Sequence, residues 1–149
     1  MSEKFSNLLT PSTSSRLHLI VKPPPASDQE SRIRAALGLE RGPLPPVGIT
    51  WLWKYYDYLS GSLRFPFEAS CPEDNSVRPV PVIVSVVAML PPSDDPRQND
   101  SGLLCRTERR ATVSEVPVVD LEVDIDHPNA QLIEDYWYWF WNWRFDPQI

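Results

Sequence analysis

The sequence predicts an α+β protein, mainly β: a small, strongly bent barrel or roll flanked by an N-terminal and a C-terminal aromatic helix. Apolar residues repeat at helical spacing in two stretches, Leu52, Tyr55, Tyr56 and Leu59, then Ile133, Tyr136, Trp137, Phe140 and Trp141, and each set makes one face for a core. Between them lie short runs rich in β-branched residues at close spacing, the pattern of a small bent sheet. Prolines crowd the beginning, at Pro23 to Pro25 and at Pro43, Pro45 and Pro46, where they remove backbone donors and fix φ. The 149 residues therefore divide into a Pro-rich leader, 1–48, read as largely disordered, and one domain, 49–145.

Within the leader, Ser27 and Glu30 form a capping-box pattern before I-R-A-A-L-G-L, which predicts a short helix over 28–38 ended by Gly38. With only Ile33, Ala36 and Leu37 to bury, it is marginal alone. Leu17, Leu19 and Val21 recur at every second position, as in an added edge strand. In the domain, Thr50 is placed to cap the first aromatic helix and Gly61 to stop it. Leu63–Ala69 alternates around Pro66, which confines it to a sheet edge. Val80–Leu90 is the most β-branched stretch and reads as a buried strand. A loop of about 12 residues, Pro91–Gly102, is long enough to be mobile or functional. Gly102–Thr107 and Ala111–Val119 read as two strands joined around Glu108, Arg109 and Arg110. The final helix begins near residue 127, with Asp126 or His127 as its cap and Pro128 in its first turn. Trp137, Trp139, Trp141 and Trp143 alternate, so they spread over more than one helix face, and some must lie outside the core or beneath the leader.

A net charge of −6 and a pI near 4.8 argue against a nucleic-acid partner, whose phosphates need a basic patch. An acidic chain more naturally meets cations or basic partners. No apolar run is long enough for a membrane span and the N-terminus lacks signal-peptide order, which gives a cytoplasmic expectation. Cys71 and Cys105 are too few for a disulfide framework, lack zinc-site spacing, and read as reduced.

The acidic track Asp120, Glu122, Asp124, Asp126 alternates with Leu121, Val123 and Ile125. Extended, it would set four carboxylates on one face and the apolar residues on the core. It reads either as a solvated outer strand face or as part of a hard-cation site, since calcium takes six to eight oxygen ligands in loose geometry. The track is not an EF-hand: counted from Asp120, Ile125 stands where glycine is needed and Gln131 where a bidentate glutamate is needed. Further ligands would come from distant segments: Glu68, Glu73 with Asp74, Asp94, Asp95 and Asp100, or Glu134 with Asp135. Catalysis has little support. His18 and His127 accompany no nucleophile motif, and there is no Gly-rich phosphate loop.

The order Y-Y-D-Y-L, L-R-F-P-F-E-A, V-S-V-V-A-M-L-P with an acidic loop, V-P-V-V-D-L-E and I-E-D-Y-W-Y-W, over about residues 51 to 143, resembles the small bacterial calcium-binding proteins of the CcbP-like family. The resemblance implies a small barrel similar to the Src-homology-3 type, calcium (Ca2+) bound through clustered surface acids as buffer or sensor, and no enzymatic activity. Glu68, Glu122, Glu134 and Asp135 are the residues it carries over; with Asp120, Asp124 and Asp126 they make the expected metal set. The segment after Ala69 and the leader depart from the family pattern. The competing expectation is a protein-interaction barrel that uses an exposed aromatic surface, with the acids serving solubility, or a homodimer completed by the aromatic helix.

Overall fold

The computed structural model describes residues 28–72, 80–95 and 99–144. The expected edge strand at Leu17–Val21 lies outside these residues. Helix α1 (Asp28–Ala36) ends as its sequence predicts. Gly38 takes φ +76, its N–H donates to Ala35 O, and the Leu39 N–H donates to Arg34 O, the paired closure of a Schellman turn. The face expected to be marginal is fully used: Ile33, Ala36 and Leu37 are buried together with Leu44. The core thus takes in residues from the stretch read as leader.

Helix α2 (Ile49–Ser62) buries Leu52, Tyr55 and Leu59, with Tyr56 packed at the margin. Two boundary expectations fail. Gly48, not Thr50, is the N-cap, and the helix runs through Gly61 to end at Leu63. Gly61 has no left-handed φ, so nothing in its backbone terminates the helix.

The strands are β1 (Phe67–Pro72), β2 (Pro81–Met89), β3 (Leu104–Arg109) and β4 (Thr112–Pro117). They form one antiparallel sheet in the order β1-β2-β3-β4. β1 is at an edge, as the proline beside it requires. The register slips between Val86 and Ala88, a bulge in the long central strand that sharpens its twist. β3 and β4 meet at a two-residue turn in which Arg110 and Ala111 both take positive φ, 51 and 65, the backbone of a tight hairpin without the glycine or asparagine that favours it.

Two expectations about closure and the acidic track are corrected. Val118–Asp120 forms a 3-10 turn, η1, after which the chain doubles back to β1, where Ser70 and Glu122 exchange backbone hydrogen bonds of 2.8 Å. That single bridge is the whole of the backbone pairing between them, so among the described residues the sheet does not close into the expected Src-homology-3-like barrel. Nor is Asp120–Asp126 a strand. The Asp124 side chain accepts the Asp126 N–H at 3.0 Å, and its carbonyl accepts the His127 N–H. Such local bonds compete with a ladder, and the turn they make turns Ile125 outward, 86 % exposed.

Helix α3 (Ala130–Trp143) buries Ile133 and every residue from Asp135 to Phe140. A helix apolar all round must be covered all round. The sheet and α2 take one side, where the Tyr55 ring lies 5.1 Å from Tyr136 and 5.2 Å from Trp139. The segment 28–47 takes the other: Trp139 Nε1 donates to Pro45 O at 3.0 Å and the Val47 N–H to Trp143 O at 2.7 Å. The helix starts at Ala130 with Asn129 as N-cap, so Pro128 precedes it. His127 still accepts a backbone donor, the Asn129 N–H, on Nδ1 at 2.9 Å.

Candidate functional site

The seven acids of the expected metal set fall into two surroundings, the side of β1 and the start of α3. Glu68 is exposed on β1, on the face opposite buried Phe67, Ala69 and Cys71. Its neighbour on that face is Ser70, and residues paired across a bridge project to the same side. The Ser70 to Glu122 bridge therefore sets Glu122, half-buried, on the face that carries Glu68. Asp124 is exposed at the start of the turn that follows. Asp126 is exposed beyond it, and Asp120 is exposed on η1.

Asp135 is the clearest departure. It is 4 % exposed, and its oxygens accept from Arg32 Nε at 2.8 Å, Arg32 Nη2 at 3.1 Å and Gln29 Nε2 at 3.1 Å. The hydrogen bond to Asp135, outweighing partial burial, raises the Arg32 pKa further. Asp135 is thus a structural anchor for α1 rather than a surface ligand. Sequence gave no sign of this, because its partners stand more than a hundred positions away. Glu134, beside it at the start of α3, is half-buried.

The loop acids gather elsewhere. Asn99 ties its loop together, accepting the Ser93 N–H on Oδ1 at 3.1 Å and donating to Ser93 O at 2.7 Å. Asp94, Asn99 and Asp100 then line a cavity of about 490 Å³ with Val47, Ile49 and Arg144. Two positive influences face this cavity, which disfavours a cation there. One is the N-terminal end of α2, whose N-cap offers no side-chain bond and whose free N–H groups carry partial positive charge. The other is Arg144, which lies 4.8 Å over the Phe140 ring and donates to Asp100 O at 2.9 Å. Among the described residues no three His, Cys, Asp or Glu side chains gather tightly enough to hold a metal.

Two residues that sequence reasoning passed over position these surfaces. Asn129, fully buried, accepts the Arg64 N–H at 3.0 Å and donates to Arg64 O at 3.1 Å, stitching the approach to β1 onto the start of α3. Gly102, with φ +75, sits so close beneath the Tyr136 hydroxyl and the Phe140 ring that no side chain fits. The Leu103 N–H next to it donates to Tyr136 Oη at 2.7 Å. Both cysteines are buried and neither forms a disulfide. Trp139 is fully buried and Trp143 half-buried, while Trp53 on α2 is 40 % exposed.

With this geometry in place, comparison with known proteins gives two findings. A family model, Calci_bind_CcbP, described as calcium binding, matches residues 50–140. No curated protein matches the chain. Two solved structures share its fold. One is the crystal structure of CcbP from Anabaena, 22 % identical with a TM-score of 0.61, covering 79 % of this chain and 94 % of that one. The other is a calcium-binding protein in its calcium-binding form, 21 % identical with a TM-score of 0.58, covering 80 % of this chain and 94 % of that one.

Proposed function

The chain belongs to the CcbP family of calcium-binding proteins, and from that premise we propose that it binds Ca2+ at the outer face of β1, through Glu68, Glu122 and Asp124, with Asp120 and Asp126 at the margin. Family membership carries the choice of ion. The shared face of Glu68 and Glu122 supports the choice of place. Acids on one face repel as they approach, and a hard cation that drew them together would relieve that repulsion while accepting carboxylate and carbonyl oxygens without strict geometry. The ion then stabilises the folded chain by mass action, which suits a buffer or sensor in a bacterial cytoplasm and requires no catalytic group.

The test is a calorimetric titration of the full chain with calcium and, separately, magnesium, repeated on Glu68→Gln, Glu122→Gln and Asp124→Asn. The expected result is saturable calcium binding that magnesium does not reproduce, weakened several-fold by at least one substitution. An absence of heat at millimolar calcium would leave the family fold without the ion and turn attention to the interaction reading. For that reading, Trp139 is fully buried while Trp141 and Trp143 of α3 are half-buried, and the exposed Trp53 of α2 with Ile49 beside it is the most accessible apolar surface on the aromatic helices.

A further inference from the structure

The inner face of the sheet is buried at one end and exposed at the other. One row across it, Phe67, Val86, Thr107 and Ser114, is in register over all four strands, and paired residues project to the same side. The first three are buried, whereas Ser114 is exposed. Thr112, paired with Arg109, continues that exposed end toward the β3–β4 turn. Where burial ends, these residues line a groove of about 350 Å³, within the small end of ligand sites, which run from about 300 to 1,000 Å³.

The chemistry of the groove is divided. Val82, Val84 and Val116 make one part of the lining aliphatic. Thr107 directs its hydroxyl to Ser114 O, which leaves the hydroxyls of Thr112 and Ser114 along the β4 side. Arg109 and Arg110 stand at the end nearest the turn. The chain has a net charge of −6, yet among the described residues this lining holds two arginines and no carboxylate. The acids nearest along the same strands, Glu108 and Glu115, alternate with the lining residues and so project from the opposite face.

We propose that this groove binds a small aliphatic monocarboxylate, its carboxylate met by Arg109 and Arg110 and its chain laid along Val82, Val84 and Val116. A guanidinium presents donors in the planar fork that matches two carboxylate oxygens. An inorganic anion would leave the aliphatic lining unused, and a neutral hydrocarbon would gain nothing from the arginines. The assignment is separate from the calcium reading, because Glu68 and Glu122 lie on the outer face of β1.

An amide-resolved NMR titration of the full chain with sodium octanoate in calcium-free buffer tests it, with acetate and octanol titrated alongside. The expected result is saturable shifts at Val82, Val84, Thr107 and Arg109 to Val116, with octanoate bound at least about tenfold more tightly than octanol, which lacks the charge, or acetate, which lacks the chain. Thr112→Glu, at an exposed position, sets a carboxylate beside Arg109 and should abolish binding. Arg110→Gln, in the exposed turn, should weaken it several-fold, and cooperative urea unfolding shows that each variant is folded. Absence of saturable shifts in the groove at millimolar octanoate would overturn the proposal. So would octanol or acetate binding as tightly as octanoate, or undiminished octanoate binding by either folded variant.

Discussion

Strand β3 has two ends held in opposite ways. Its entry, at Gly102 and Leu103, lies beneath α3, with glycine in the left-handed conformation and a tyrosine hydroxyl capping the next amide. Its exit, at Arg110 and Ala111, turns through the same left-handed region in solvent without glycine or asparagine. The entry has a residue that only its packing explains, and the exit has residues that its backbone does not favour. Tertiary pressure is thus concentrated where the aromatic helix crosses the sheet, and the hairpin tip accepts strain because little of the packing depends on it.

The sharpest break in this comparison is Gly102→Ala. A Cβ would press on Tyr136 and Phe140 and would also occupy a positive φ, and these costs together should lower stability by roughly 3 kcal/mol or more, read from urea unfolding. Asp135→Ala should cost about 2 kcal/mol, below the range for breaking a fully buried pair because the Arg32 side chain is 38 % exposed. Loss of protection confined to α1 in hydrogen exchange would identify the cause. Tyr136→Phe leaves the buried Leu103 amide without its acceptor and should cost about 1–2 kcal/mol. At the other end the sign reverses: Arg110→Asn with Ala111→Gly should raise stability by about 1 kcal/mol, since both residues tolerate the turn. An unchanged unfolding midpoint for that double variant would mean the hairpin tip is not strained.

Alkaline pH probes the covered end last. Burial pushes the Cys105 thiol from 9.0 up to about 12 and raises the hydroxyls of Tyr55 and Tyr136. Below pH 9 the thiol is protonated whether the chain is folded or not, and its contribution is fully present. Above that the unfolded chain loses the proton first, so stability falls as pH rises toward 12. Cys105 alone should remove about 1.4 kcal/mol by pH 10. A Cys105→Ala variant should show a shallower decline between pH 8 and 10.

The elements that rest on local periodicity were legible: the apolar faces of α2 and α3, β2 as the longest strand, though only Val84, Val86 and Met89 of it are buried and Ile83 is exposed, and the edge position of β1. That some tryptophan lies beneath the leader was also expected, but which residues cover α3 was not, because the proline-rich stretch around Pro45 has no periodicity and shows its role only when Trp139 donates to it. The track from Asp120 misled for a related reason. Its alternation is that of a strand, but the Asp124 side chain satisfies the nearby backbone and a turn forms instead. As for the candidate site, composition names the acids and cannot say which ones meet. Asp135 stands next to Glu134 in sequence, yet it serves an arginine from the first described helix.

That pairing also governs the order in which the chain can be completed. Arg32 and Asp135 are separated by 103 positions and Glu30 and Tyr138 by 108, so α1 gains its partners on α3 only after nearly the whole domain has been synthesised. Emerging from the ribosome, α1 can meet only α2 early, and its polar partners on α3 come last. Contacts of such sequence separation slow folding because a long loop must close before they form. A chain released short of α3 would keep its sheet-forming sequence and lose the element that joins its two ends, leaving that sequence exposed to aggregation.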